Sequence, residues 1–244
     1  MVIIGHRGAP GYEPENTLAS FEKALELGAN MVELDTACIE TGEVVVIHDA
    51  SVNRTTNGKG RVAAFDLMQL QLLDAGKGQH VPLLNEVIET IDRRVPINIE
   101  LKQPGVAKPV ATIIKRYMRK GWKADDFIIS SFSFQELKDF KASIPSVRLG
   151  ALIRRITDTN VADAISLGAF SLHPSLRAVS PDLVTHAHEL GLKVYVYTVN
   201  RKRALRKMES LGVDGVITNY PDRARDIYLR VARDIAASNL APLS

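Results

Sequence analysis

The chain has little of what specialised scaffolds are built from. It carries one cysteine, Cys38, among 244 residues, so no internal disulfide can form and a disulfide-stapled secreted scaffold is excluded. Cys38 lies in the run Thr36-Ala37-Cys38-Ile39, where the thiol reads as a small buried hydrophobe rather than an activated nucleophile. No apolar run approaches the roughly 20 residues that a bilayer span needs. The apolar start Met1-Val2-Ile3-Ile4 meets Gly5-His6-Arg7 too soon for a secretory signal, so the expectation is a cytoplasmic protein with no membrane insertion. Charge of one sign is also scarce: 31 Lys and Arg stand against 28 Asp and Glu, a net charge of +3. That balance admits a small anionic substrate but lacks the concentrated basic stripe of a nucleic-acid binder. No Gly-rich phosphate fingerprint follows the first apolar run, which counts against an open doubly wound sheet.

What is present is a rhythm. Short β-branched runs at Val2–Gly5, Met31–Ile39, Glu43–His48, Pro96–Leu101, Phe127–Ser131, Val147–Ile153, Ala169–Leu172, Lys193–Val199 and Gly215–Thr218 are read as strands. Helical spacing fills the gaps at Thr17–Leu27, Leu84–Arg93, Val110–Lys120, Phe134–Ala142, Val161–Leu167, Pro181–Leu190, Arg201–Ser210 and Asp222–Ala236. Gly168 and Gly191 follow helices at the left-handed position past the C-terminus, and Ser180-Pro181 reads as an N-cap with Pro at the first helical residue. Alternating β and α units imply a parallel sheet, and about eight of them in about 250 residues predict a closed (β/α)8 TIM barrel. We expect a single domain over residues 1–244, with an insertion at about 51–81, where the β/α rhythm lapses and Gly58, Gly60, Gly76 and Gly78 cluster.

In a parallel barrel the chemistry gathers at the C-terminal strand ends. The first strand ends in His6-Arg7, the second carries Glu33 and Asp35, the next extended run ends in His48-Asp49, and the fourth ends in Glu100-Leu101-Lys102. Residues two apart on a strand share a face, so each carboxylate pair points one way. Three converging carboxylates repel unless a divalent cation sits among them, and oxygen donors without Cys favour Mg²⁺ or Ca²⁺ over Zn²⁺. Arg7 and Lys102 can offset the charge of an anion, and two imidazoles can take and give a proton. Taken singly, each feature has an ordinary structural reading; together they point to metal-assisted chemistry on an anion.

The runs His6-Arg7-Gly8-Ala9-Pro10, Pro14-Glu15-Asn16-Thr17, Val32-Glu33-Leu34-Asp35, Val46-Ile47-His48-Asp49, Arg54-Thr55-Thr56 and Asn98-Ile99-Glu100-Leu101-Lys102 occur in order. Tyr197-Thr198-Val199-Asn200 and the run from Gly212 to Pro221 follow. This series resembles the glycerophosphodiester phosphodiesterase family over residues 3 to about 222. The resemblance implies a TIM barrel, hydrolysis of a small glycerophosphodiester to glycerol 3-phosphate and an alcohol, and a divalent cation, Mg²⁺ or Ca²⁺. It makes His6 and His48 the acid–base pair, Glu33, Asp35 and Glu100 the metal ligands, and Arg7 and Lys102 the phosphate contacts. Asn16 stands near the site or holds its loop. Two departures stand out: Tyr197 replaces the family's usual Trp as a substrate wall, and Asn219 replaces a frequent Asp. The weak preference is for His48 as base and His6 as acid; whether water or the substrate's glycerol 2-hydroxyl attacks is open. The rivals are a lysophospholipase D-like phosphodiesterase, a non-catalytic anion- or metal-binding barrel, and a barrel isomerase or aldolase. His173-Pro174, past the sixth parallel strand, is read as a structural turn.

Overall fold

The computed structural model describes residues 1–229. Nine strands alternate with helices in the order β1 (Val2–His6), α1 (Leu18–Glu26), β2 (Met31–Cys38), β3 (Val44–Val46), α2 (Leu67–Gln71), α3 (Leu84–Ile91), β4 (Ile97–Leu101), α4 (Ala107–Arg119), β5 (Phe127–Ser131), α5 (Phe134–Ser143), β6 (Arg148–Ile153), α6 (Asp158–Ser166), β7 (Ser171–Pro174), α7 (Pro181–Glu189), β8 (Lys193–Val196), α8 (Lys202–Ser210) and β9 (Gly215–Thr218). Residues 221–229 are helical; the remainder of the helix expected over Asp222–Ala236 lies outside the described residues.

Eight of the strands run parallel and close on themselves. β1 pairs with β9 through Val2↔Gly215 and with β2 through Ile4↔Met31, which completes a (β/α)8 barrel. β3 is the exception. It pairs antiparallel to β2, Thr36↔Val46 to Cys38↔Val44, because the connection after Cys38 is far too short for a parallel crossover. The hairpin therefore extends β2 above the barrel mouth.

Strand alternation sorts the interior into layers. Ile4, Met31, Ile128, Tyr195 and Ile217 pack together as an apolar plug. Two residues further along four of the same strands stand His6, Glu33, Ser130 and Tyr197. β1, β2 and β5 thus turn from apolar to polar as they approach the mouth, while Tyr197, just past β8, packs on the apolar plug. Outside the barrel, the opposite faces bury Val32, Leu34, Ile97, Ile99 and Ile129 against helices through Phe21, Ile88, Ile114 and Phe140. A second cluster joins Val194, Val196 and Val216 to Leu183, Leu205 and Met208.

Five of the eight helices α1–α8 start on a local side-chain cap, at Thr17, Asp66, Ser133, Thr157 and Ser180. Ser180 accepts from Leu183 N and has Pro181 after it, as expected, and Gly168 and Gly191 take φ of +64° and +76°. α4, however, begins at Ala107, ahead of the expected Val110. Its cap is supplied from thirty residues away: buried Glu136 of α5 accepts Gly105 N at 2.7 Å and Ala107 N at 3.0 Å. Hydrogen bonds to a charged group contribute about 1.5–3 kcal/mol each, enough to start a helix without a local cap.

The 51–81 stretch has its own small apolar cluster. Val52, Val62, Leu70, Ala75 and Val81 pack on Ala37, Ile39, Val45 and Ile47 of the β2–β3 hairpin. Phe65 and Leu67 are partly buried in the same cluster. His173 is fully buried inside the barrel, with Nε2 2.8 Å from Ser171 Oγ and its ring against Tyr195. It sits in strand β7 rather than a turn, and burial pushes its pKa down to about 3.

Candidate active site

The mouth encloses a cavity of about 220 Å3 lined by His6, Arg7, Glu33, His48, Asn98, Glu100, Lys102, Ser130, Phe132, Leu152, Arg154, Tyr197, Thr198 and Ile217. Most of the residues expected from the sequence are on this wall. Asp35 and Asn16 stand directly behind it, and both are buried.

The carboxylates come together as the i, i+2 argument required. One oxygen from each of Glu33, Asp35 and Glu100 lies within 4.8 Å of the others, and all three residues are buried. Burial, then the charges of Asp35 and Glu100, hold the Glu33 carboxyl well above the usual carboxylate range. Burial, then Asp35, pushes Glu100 up to about 7. Both shifts record carboxylates withdrawn from water and set beside like charge. Asp35 Oδ1 is buried and accepts no hydrogen bond, and a buried carboxylate oxygen left in that state is costly. Three hard oxygen donors with a free lone-pair position fit a divalent cation of the Mg²⁺ or Ca²⁺ type.

The cations of this wall are already engaged. Arg7 sits in a left-handed turn, φ +55°, which aims its backbone N–H at Glu33 Oε2, 2.9 Å away. Its guanidinium pairs with Glu15 at 2.8 Å and lies 3.1 Å from Asp35. Lys102 Nζ is 3.0 Å from Glu100 and 3.7 Å from Asp35. Asn16, also in the left-handed region with φ +58°, donates Nδ2 to Asp35 Oδ2 at 2.9 Å and accepts Asp35 N–H. It therefore holds the Asp35 carboxylate from behind the cavity wall.

The histidines differ sharply in their surroundings. His6 Nδ1 lies 2.7 Å from Asn219 Oδ1. An amide oxygen only accepts, so this contact assigns the ring proton to Nδ1 and leaves the Nε2 lone pair free. Burial, then the neighbouring Arg7 charge, pushes the His6 pKa down to about 4, so the ring is neutral near pH 7. His48 instead bonds through Nδ1 to Asp49 Oδ1 at 2.5 Å. Asp49 is in turn gripped by Arg54, at 2.7 Å through Nε and 3.1 Å through Nη2, which holds its carboxyl far below the usual range.

Arg54 carries the network further. It binds both oxygens of Glu15 at 2.8 Å. Burial would raise the Glu15 carboxyl, but Arg54 and Arg7 hold it down to about 2. A chain of ion pairs thus runs from Asp49 through Arg54, Glu15 and Arg7 to Asp35, and a hydrogen bond joins His48 to its Asp49 end. The sequence displays all of these residues, but nothing in their spacing reveals that Arg54, on the 51–81 stretch, bridges the two halves of the network. Asn219 was visible only as a departure from a pattern.

The opposite wall is aromatic. Tyr197 meets Phe132 edge to face at 6.0 Å and donates its hydroxyl to Ile153 O at 3.3 Å; burial pushes the phenol up to about 12. The Arg154 guanidinium lies over the Phe132 ring, 4.7 Å from its centre. Neither Phe132 nor Arg154 stands out in the sequence. On the cavity floor, Asn98 Oδ1 and Ser130 Oγ are buried without partners. Among the described residues, no helix is long and apolar enough to cross a membrane.

Comparison with known proteins agrees with this picture. The sequence model of the Glycerophosphoryl diester phosphodiesterase family matches residues 6–223. A glycerophosphodiester phosphodiesterase of Caldanaerobacter subterraneus subsp. tengcongensis is 38% identical over 234 residues, covering 91% of this chain and 95% of that protein. A human lysophospholipase D is 26% identical, covering 91% of this chain and 84% of its own length. A phosphodiesterase of Oleispira antarctica, solved with the product sn-glycerol-3-phosphate, superposes with a TM-score of 0.87 at 29% identity, covering 93% of this chain and 96% of that one.

Proposed function

The chain belongs to the glycerophosphoryl diester phosphodiesterase family, and from that premise we propose that it hydrolyses small glycerophosphodiesters to glycerol 3-phosphate and an alcohol, with Glu33, Asp35 and Glu100 holding a divalent cation. The observation that carries this reading is the convergence of three buried carboxylates beside two histidines, one bonded to an amide and one to a carboxylate. A bound Mg²⁺ or Ca²⁺ supplies Lewis-acid polarisation of a phosphate oxygen and offsets the local negative charge.

The protein's own groups do the rest. Arg7 and Lys102 face the phosphate while holding the carboxylates in register. His6 is neutral, its Nδ1–H directed to Asn219 and its Nε2 open to the cavity. That favours His6 as the base that takes the proton from the attacking hydroxyl. His48, which lines the cavity with its Nδ1 held by Asp49 Oδ1 at 2.5 Å, is then the ring placed to hand a proton to the departing alkoxide. This is the reverse of the weak preference from sequence, in which the contacts of Asn219 with His6 and of Arg54 with Asp49 could not be read. Water, or the glycerol 2-hydroxyl by way of a cyclic phosphate, is the nucleophile; trapping the cyclic phosphate separates the two routes.

The charged and polar lining of the cavity suits a small polar diester. The test is release of glycerol 3-phosphate from glycerophosphocholine, glycerophosphoethanolamine, glycerophosphoglycerol and a lysophospholipid, with chelator and with each cation restored. Loss of release under chelation and recovery with Mg²⁺ or Ca²⁺ is expected. Undiminished turnover in excess chelator would refute the proposed metal dependence, and faster turnover of the lysophospholipid would move the reading to lysophospholipase D.

A further inference from the structure

The two walls of the cavity hold their positive charges in different ways. Arg7 and Lys102 are committed to Glu15, Asp35 and Glu100 at 2.8 to 3.7 Å. Arg154 follows the last residue of β6, two positions after the cavity residue Leu152, and so emerges on the inner side of the strand. Among the described residues no carboxylate pairs with its guanidinium and no side-chain hydrogen bond holds it. The head group is positioned instead by the Phe132 face, 4.7 Å from its centre, and Phe132 is braced by Tyr197, itself tied to Ile153 O. Ser175 Oγ fixes the Arg154 carbonyl at 3.0 Å. A stack of this kind is worth about 0.5–1 kcal/mol at an exposed site. That is enough to favour one orientation of a long side chain while leaving the N–H edge free for an anion.

An alcohol group lying against this wall meets an aromatic surface and an unneutralised cation together. A quaternary ammonium would gain from the rings but be repelled by Arg154. An anionic group would gain a two-pronged partner.

We propose that Arg154, seated on Phe132, is a specificity-determining residue that favours diesters whose alcohol carries a negative charge, a carboxylate or a phosphate. The proposal rests on the phosphodiesterase reading above and names the substrate class within it. Two substrate pairs isolate one anionic group each. Glycerophosphoserine differs from glycerophosphoethanolamine by a carboxylate, and glycerophosphoinositol 4-phosphate differs from glycerophosphoinositol by a phosphate. With the full chain and added divalent cation, kcat/KM for the more anionic member is expected to exceed that of its partner by about fivefold in at least one pair, the scale of a half-solvated ion pair. Arg154→Gln is expected to bring that ratio to about one, and Arg154→Glu to invert it. The pair that responds identifies the anion. Ratios unchanged by either substitution overturn the proposal, as does an equal loss for all four diesters, which would put Arg154 on the reacting phosphate. No glycerol 3-phosphate from any diester with the wild-type chain overturns the hydrolase reading itself, and this proposal with it.

Discussion

The wall built from β1, β2 and β4 and the wall built beyond β5, β6 and β8 face each other across one cavity, yet they are made on different plans. On the first, every charged group is buried or held by another charged group, in a chain of ion pairs from Asp49 to Asp35. On the second, two rings and one uncommitted guanidinium are held by stacking. The first wall is preorganised at the expense of mutual repulsion among Glu33, Asp35 and Glu100. The second is loosely determined and can vary without disturbing the first. Chemistry is therefore expected to live on one side and preference on the other.

The most severe way to break that division is to remove a carboxylate. Glu33→Gln is expected to lower turnover by about 10²- to 10³-fold, the usual cost of losing a preorganised electrostatic group. It should also raise the melting temperature in chelator, because one of three clustered like charges is gone. A variant that melts no higher than wild type in chelator would contradict the repulsion argument. Next, His6→Ala and His48→Ala should each cost at least about 10²-fold in turnover with little change in KM; near-wild-type turnover in either would remove that ring from the proton transfers.

Arg54 tests whether the network acts as a unit. Arg54→Ala leaves the cavity-lining side chains in place but frees Asp49 and Glu15 together. A loss of about tenfold in turnover is expected, the lower end for residues that orient catalytic groups from behind. Glu15 gives the pH signature of the same network. Its native pKa of about 2 lies below its ordinary 4.5, so the folded chain binds fewer protons than the unfolded chain in that window. The stabilisation is complete above about pH 4.5 and fades as pH falls toward 2. Denaturant titrations of Glu15→Gln should therefore show a flatter stability curve over that range than wild type, and parallel curves would contradict the ion-pair account. The smallest effect belongs to the aromatic wall: Tyr197→Phe gives up one 3.3 Å bond to Ile153 O and should shift KM by about twofold at most, with kcat preserved. A fall in kcat instead would blur the separation of the two walls.

What the sequence made legible follows from period. Glu33 and Asp35, or Glu100 and Lys102, share a strand face by arithmetic alone, and the barrel brings those faces together. The apolar-to-polar change along β1 and β2 is likewise readable from Ile4/His6 and Met31/Glu33. Contacts with no local signature were hidden. Glu136 capping α4, Arg54 joining Asp49 to Glu15 and Arg154 resting on Phe132 all depend on which loops lie side by side at the rim. Loop positions are set by tertiary packing, which residue spacing does not encode. The proposed acid–base assignment differs from the preference drawn from sequence because Asn219, the partner of His6, stands 213 residues away.

That last separation has a consequence for how the enzyme comes into being. Glu33, Asp35 and Glu100 all belong to the first 101 residues and to adjacent strands, whereas the acceptor that sets His6 is Asn219, directly after the strand that closes the ring. A growing or half-folded chain can gather its acidic cluster early, but His6, the base in the proposed mechanism, has no Asn219 beside it until the two ends of the polypeptide meet. Competence to cut therefore doubles as a report of circularity. During refolding, recovery of hydrolysis should trail recovery of secondary structure, and a lag-free return of activity would show that the ring seals first.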